Sequence, residues 1–148
     1  MSAEPAIVIT PKKPLAHRSG GERKYQSFLK DEARNSVAVP LAGRLYSKAY
    51  YFHRGKGDID ADNLSKPILD AFKGIIYHDD AQVVLRVVSR VNLETDTYEL
   101  IQDGIPPDRY QRLIELIASE QHVLYVEVGE LTGFRLNLGS QSREELQW

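Results

Sequence analysis

Six aspartates lie close together in the middle of the chain, between positions 58 and 90. They are Asp58, Asp60, Asp62, Asp70, Asp79 and Asp80, with Lys66 among them. Carboxylates gathered this densely repel one another unless cations lie nearby. Because carboxylate oxygens are preferred ligands of divalent metal ions, the segment predicts a metal-dependent active site.

The spacing within this segment indicates a helix with one reactive side. We expect the helix to begin near Asp62 or Asn63, because either residue can cap its first turn. Asp62, Lys66 and Asp70 then follow one another at intervals of four, so they share one side of the helix. The apolar residues on the opposite side, which should face the core, are Leu64, Ile68 and Phe72.

Two further carboxylates should approach the start of this helix. Asp60 directly precedes it, and Asp80 precedes a predicted strand that follows a tight return at residues 74–77. If helix and strand run back to back, Asp60, Asp62 and Asp80 meet and can act as ligands of one or two Mg²⁺ ions, with Mn²⁺ as a substitute. Such a site suits the hydrolysis of a phosphodiester, in which Lys66 would stabilise developing negative charge.

Two other metal sites compete for these residues. The run 58–62 imitates the start of a calcium-binding EF-hand loop, but Asn63 and Leu69 stand where that loop needs glycine and glutamate. His53 and the pair His78-Asp79 resemble ligands of HD-type metal phosphohydrolases, which are all-helical. Both histidines flank predicted strands here, so we interpret them as ordinary strand-end residues.

A purely structural interpretation also exists for the aspartates, because Asp is common in turns and helix caps. Asp58 and Asp79 fit that role. Asp60, Asp62 and Asp80 are less easily explained by it, since they converge with a lysine on one helix start. The role of Asp70 is left open.

Composition limits the class of protein. The 148 residues fit one domain, and the absence of cysteine excludes disulfides and thiolate metal sites. No apolar run reaches the roughly 20 residues that cross a bilayer, and the first residues do not resemble a signal peptide, so we expect a cytoplasmic protein without a membrane role. The net charge of −2 is unevenly distributed, because residues 1–56 are basic and residues 57–148 are acidic. A protein that grips a polyanion with one surface and binds cations with another would show this division.

Alternating strand and helix patterns surround the acidic segment. Strands are predicted over residues 6–10, 44–53, 82–92 and 122–129, and helices over 22–36, from about 62, and over 108–119 with Asp108 and Gln111 as a capping box. On the third strand Val83, Leu85, Val87 and Val91 should share one face and Arg86 and Arg90 the other. We therefore predict an α/β (α+β) fold, in which one compact domain has a mixed β-sheet with helices packed on it. The domain would span residues 1–130, followed by a polar C-terminal tail at 131–148.

The acidic segment closely resembles the RusA family of Holliday junction resolvases. The run 60–72 fits the family pattern Asp-x-Asp-Asn-x-x-Lys-x-x-x-Asp-Ala, and the run 77–83 fits its Asp-Asp-x-x-Val strand start. Close similarity covers about the middle quarter of the chain. The loop 11–18 lacks the family's asparagine, and the helix at 108–119 and the tail look like additions to the family core.

The resemblance implies a crossover junction endodeoxyribonuclease, which is a magnesium-dependent homodimer that makes paired symmetric nicks in four-way DNA junctions during recombination and repair. Its essential acids would fall on Asp60, Asp62 and Asp80, and its essential lysine on Lys66. Two sites related by a two-fold axis suit a junction with the same symmetry. The rival interpretation is a non-catalytic module that binds junctions or another partner and retains a structural metal.

Phosphate contacts are expected from the basic first part of the chain. Lysine and arginine bind the DNA backbone without reading its sequence. The candidates are Lys12, Lys13, Arg18, Arg23, Lys24, Arg54 and Lys56.

Overall fold

A computed structural model of the chain describes residues 4–16, 20–56 and 59–139. Its strands are β1 (Ala6–Thr10), β2 (Leu45–His53), β3 (Val83–Asn92) and β4 (His122–Glu130). Its helices are α1 (Glu22–Ser36), α2 (Ala61–Phe72) and α3 (Pro107–Ser119), with one turn of 3-10 helix at Asp80–Gln82. Among the described residues, no helix combines the length and apolar character that a membrane crossing requires.

The four strands form one mixed sheet in the order β1-β4-β2-β3. Strands β2 and β3 run parallel, whereas β4 is antiparallel to both β1 and β2. The last of the described strands, β4, therefore lies inside the sheet. Together with the three helices, this arrangement confirms the predicted single domain of α+β type.

The helices cover both faces of the sheet. On one face α1 buries Tyr25, Leu29 and Ala33, which recur every four residues, and α2 buries Leu64, Ile68 and Phe72 as predicted. On the other face α3 packs against β1 and β4 through Leu113, Leu116 and Ile117. Helices α1 and α2 lie side by side, and this pair forms the layer that carries the acidic residues.

Helix α2 begins earlier than its sequence pattern predicts. Asp60, rather than Asp62 or Asn63, is the N-cap, and its carboxylate accepts a hydrogen bond from the Asn63 backbone N–H at 2.8 Å. The N-cap therefore lies two or three residues before the predicted one, and the helix itself begins at Ala61, one or two residues before the predicted start. Any of the three side chains can cap a helix, and the extended backbone of Asp60 decides between them.

Strand β3 contains an irregularity that reverses part of its predicted pattern. Leu45 pairs with Val83 but Tyr46 pairs with Leu85, so Val84 is an extra residue. Because a bulge of one residue exchanges the two faces of a strand, Val83 faces α2 together with Arg86. The prediction that Val83 shares a face with Leu85 is wrong for this reason.

The end of the chain differs from expectation in two respects. The predicted capping box at Asp108 is wrong, because α3 begins at Pro107 with Pro106 as N-cap and has no side-chain cap. The described part of the predicted polar tail, residues 131–139, carries three exposed apolar side chains, those of Phe134, Leu136 and Leu138. The side chain of Phe134 lies under the guanidinium of Arg44, at 5.3 Å from the ring centre.

Candidate active site

A cavity of about 490 Å³ opens between the polar side of α2 and the start of β3. The periodicity of α2 places its acids and its lysine on the wall opposite the core, because Leu64 and Ile68 are held inside. The residues that line the cavity are Asp62, Ser65, Lys66, Leu69, Asp70, Tyr77, Asp80, Val83 and Arg86. Three carboxylates and two cations therefore border one space.

The cavity contains three of the four predicted catalytic residues. Asp62 and Lys66 come from α2, and Asp80 comes from the turn that precedes β3. Asp60 does not line the cavity. Both of its carboxylate oxygens accept hydrogen bonds from Asn63, at 2.8 Å from the backbone and 3.3 Å from the side chain, and hold the start of α2. A metal-binding role for Asp60 stays a prediction.

A capping box holds the turn that carries Asp80. The Asp79 carboxylate accepts from the Ala81 backbone N–H at 3.2 Å, and the Gln82 side chain accepts from the backbone N–H of Asp79 at 3.1 Å. Asp79 is thus a structural cap, as one interpretation of the sequence proposed. Asp80 lies between Asp79 and Gln82 in the chain, and it remains exposed at the cavity.

Tyr77 forms part of the cavity wall, and sequence analysis gave it no role. Its ring is fully buried, and its hydroxyl donates to the carbonyl of Leu69 at 2.5 Å. Burial, reinforced by the charges of Asp80 and Asp70, raises the pKa of Tyr77, whereas Arg86 lowers it. Tyr77 therefore stays a neutral hydrogen-bond donor, and it lies within electrostatic range of both carboxylates.

Asp70 and Arg86 also belong to the cavity. The four-residue spacing from Lys66 already indicated that Asp70 shares the polar side of α2. Arg86 was predicted on the strand face opposite Leu85, which is correct, but nothing in the sequence linked that face to the site. The bulge at Val84 is what places Arg86 and Val83 together on the cavity side.

The donor groups of the cavity suit a hard divalent cation. Carboxylate oxygens are the ligands that Mg²⁺ prefers, and Mg²⁺ is commonly held by one or two carboxylates, with water and phosphate oxygens completing its shell. Among the described residues, no three carboxylate, imidazole or thiolate groups come close enough to hold a metal ion together. Binding of an ion by Asp62 and Asp80, which both line the cavity, stays a prediction.

The histidines of the alternative metal sites do not line this cavity. His53 is buried at the end of β2, where Nδ1 lies 3.0 Å from the carbonyl oxygen of Gly55. His78 is exposed, and its backbone N–H donates to the side chain of Gln82 at 2.9 Å. Asp58, which belongs to the EF-hand interpretation, lies outside the described residues.

The predicted phosphate-binding residues lie in several places. Five of them have exposed side chains, namely Lys12, Lys13, Arg23, Lys24 and Lys56. The guanidinium of Arg54 donates instead to carbonyls at the C-terminal end of α3, at 2.5 Å to Ile117 and 3.4 Å to Glu120. Arg18 lies outside the described residues. DNA contact by any of these residues stays a prediction.

Comparison with known proteins identifies the family. The model of the family of endodeoxyribonuclease RusA matches residues 12–99, which include α1, α2, β2, β3 and every residue that lines the cavity. A search of curated proteins found no match. The matched family is one of endodeoxyribonucleases, which supports a nuclease. The chain belongs to the RusA family.

Proposed function

We propose that this protein is a magnesium-dependent, structure-selective endonuclease that resolves four-way (Holliday) junctions by paired symmetric nicks, in DNA recombination and repair. The observation that supports it best is the coincidence of the family match with the cavity, since Asp62, Lys66 and Asp80 all lie in the matched span. Branched DNA is the proposed substrate, and a homodimer is the proposed active form.

The residues of the cavity divide into two chemical groups under this proposal. Asp62 and Asp80 would hold Mg²⁺, with Asp60 at the adjoining helix start as a further candidate ligand. When bound, the metal would withdraw charge from the scissile phosphate and make a bound water more acidic. The ammonium group of Lys66 would stabilise negative charge on the phosphoryl or leaving oxygen, and the Arg86 guanidinium on the facing strand would orient the phosphate.

The homodimer follows from the geometry of the substrate. A four-way junction has opposing strands related by two-fold symmetry, so two identical sites on a two-fold axis can cut both strands in equivalent positions. Sedimentation equilibrium of the purified protein would measure the assembly. A protein that nicks junctions while it remains a monomer would contradict this part of the proposal.

A cutting assay tests the proposal directly. The purified protein is mixed with a synthetic four-way junction whose strands are labelled one at a time, with Mg²⁺ or with chelator. We expect nicks at symmetric positions in two opposing strands, only with Mg²⁺. Asp80→Asn should abolish the nicks but preserve junction binding, because it removes a ligand and also a negative charge near phosphate. Asp108→Asn, on the exposed start of α3, is the matched control and should cut normally.

The remaining outcomes identify the alternatives. Equal cutting of linear duplex would indicate a general nuclease. Junction binding without cutting would favour the non-catalytic module with a structural metal. Loss of folding in Asp80→Asn, measured by circular dichroism, would make Asp80 a structural residue, and the assay would then rely on Lys66→Met.

A further inference from the structure

A second open groove, about 1010 Å³ in volume, runs between α1 and α2 beside the catalytic cavity. Its floor is closed where the Gln26 side chain donates to the carbonyl of Pro67 at 2.7 Å. The groove is lined by Glu22, Arg23, Gln26, Ser27, Lys30, Arg34, Asn63, Lys66 and Asp70. Four cations therefore face two acids, and the surface is positive although the chain is not.

The cations of α1 form a straight row. Arg23, Lys30 and Arg34 are separated by seven and four residues, so they lie on one side of the helix, opposite the buried Tyr25 and Leu29. All three side chains are exposed. At 1.5 Å per residue the row is about 16 Å long. One DNA strand carries a phosphate every 3.4 Å or so along the helix axis, so the row spans roughly five phosphates.

The groove adjoins the catalytic cavity. Lys66 and Asp70, on the polar side of α2, line both spaces. A strand that lies in the groove would therefore pass Lys66 before it enters the cavity. Arg34 pairs with Asp31 at 3.0 Å, but both side chains are more than half exposed, and such a pair can exchange for a phosphate at little cost.

We propose that the groove between α1 and α2 binds the sugar–phosphate backbone of the DNA arm that leaves the cavity, with Lys30 and Arg34 as phosphate contacts in addition to Arg23. This inference rests on the proposed function, because it gives that site its substrate path. Lys30 and Arg34 touch no reacting atom, so they bind the substrate without taking part in the chemistry.

Binding across a range of salt concentrations tests the groove. The full-length variant with Lys30→Gln and Arg34→Gln is compared with wild type on a four-way junction in chelator, so that no cutting occurs. Each phosphate contact contributes about 0.9 to the slope of log K against log salt, so the slope should fall by roughly 1.8. The matched control is Arg109→Gln with Arg112→Gln on α3, which packs on the opposite face of the sheet and should keep the wild-type slope.

A chemical probe tests the position of the bound DNA independently, because it does not require that the Lys30 and Arg34 variants fold. Because the chain has no cysteine, Ser27→Cys provides a single attachment point in the groove for a tethered iron–EDTA reagent. Hydroxyl radicals from that position should cut one arm of the bound junction. Arg112→Cys carries the same reagent outside the groove and should give only background cutting.

The outcomes separate the groove from the enzymatic proposal. An unchanged salt slope, an equal fall in the α3 control, or equal background cutting from both cysteines would overturn the groove, even if wild type nicks junctions normally. A wild-type protein that cuts no DNA while its binding depends on Lys30 and Arg34 would refute the nuclease and retain the groove.

Discussion

Gln82 donates a hydrogen bond from its side-chain amide to the backbone carbonyl of Leu41 at 3.1 Å, which joins the turn of Asp80 to the segment before β2. The same nitrogen donates to the carbonyl of Gly43 at 3.0 Å. The amide oxygen accepts from the backbone N–H groups of His78 and Asp79. Two donors and two acceptor positions are thus all used, so the amide fixes the turn from both sides.

Gln82→Glu should loosen this turn. The carboxylate can still accept from the two N–H groups, but it cannot donate to the two carbonyls and would face them with negative charge. Leaving such groups without partners costs about 1–3 kcal/mol in the free energy of unfolding, measurable in urea, and junction nicking should fall with it. Gln102→Glu, where the exposed amide donates to the Ile105 carbonyl at 3.5 Å, is the control. Equal stability in the two variants would show that the amide does not hold the turn.

Two substitutions at Asp60 separate its cap from its proposed metal role. Asparagine caps a helix as well as aspartate does, so the free energy of unfolding of Asp60→Asn should lie within about 0.5 kcal/mol of the wild-type value. The same variant should lose magnesium-dependent nicking, because it removes the proposed carboxylate ligand. Asp60→Ala should lose nicking as well, and its free energy of unfolding should fall by about 1 kcal/mol because the cap is removed. That loss corresponds to a fall in Tm of roughly 2–4 °C. Calorimetry and the nicking assay measure the two effects. Normal nicking by Asp60→Asn would leave Asp60 with the cap as its sole role.

Gly129→Ala should destabilise the sheet. Gly129 lies opposite Tyr46 in the register of β4 and β2, and an added Cβ would come within 2.6 Å of the Tyr46 hydroxyl and 2.8 Å of its ring. We expect a loss of about 1–3 kcal/mol in the free energy of unfolding. Gly133→Ala meets no atom within 4 Å and should be nearly neutral. If the contact is the cause, the penalty at Gly129 should shrink when Tyr46 is also replaced by alanine.

Stability should decrease in alkaline solution because of a buried cluster around Glu127. The hydroxyls of Tyr46 and Tyr125 both donate to its carboxylate, and burial, followed by these bonds to Glu127, raises the pKa of both tyrosines above the ordinary 10.0. The stabilisation is complete below pH 10 and is lost as pH rises through the raised folded pKa, because the unfolded phenols ionise first. Urea unfolding at about pH 9 and pH 11 should show a smaller decrease in Tyr46→Phe with Tyr125→Phe than in wild type. An identical decrease would place its origin elsewhere.

Periodic segments were the part of the fold that could be predicted from sequence. Helix α1 and strand β1 have the predicted bounds, and α2 buries the predicted side, because burial of apolar residues at a fixed spacing determines both the type of element and its orientation. The wrong predictions concern features whose position depends on a single residue. The bulge at Val84 and the cap at Asp60 depend on local backbone geometry, which a pattern of residue types does not contain.

The candidate site was predictable for the residues that share one helix and for Asp80, which follows the tight return after that helix. Asp62, Lys66 and Asp70 follow from the spacing in α2, whereas Tyr77 and Arg86 reach the cavity through a turn and a bulge. The sequence did not indicate the role of Gln82, because its partners at Leu41 and Gly43 are about forty residues away in the chain. Contacts between distant segments are a property of the folded chain.

The position of β4 determines when this protein can fold during synthesis. In the described sheet β1 pairs with β4 alone, so β1 has no neighbour until β4, the last of the described strands, has been synthesised. Until His122–Glu130 emerges, the nascent chain keeps its first strand unpaired and one edge of β2 open. During that interval the acids of the cavity have already been translated but the sheet that supports them is incomplete, and its open strand edges are the kind of surface that chaperones bind.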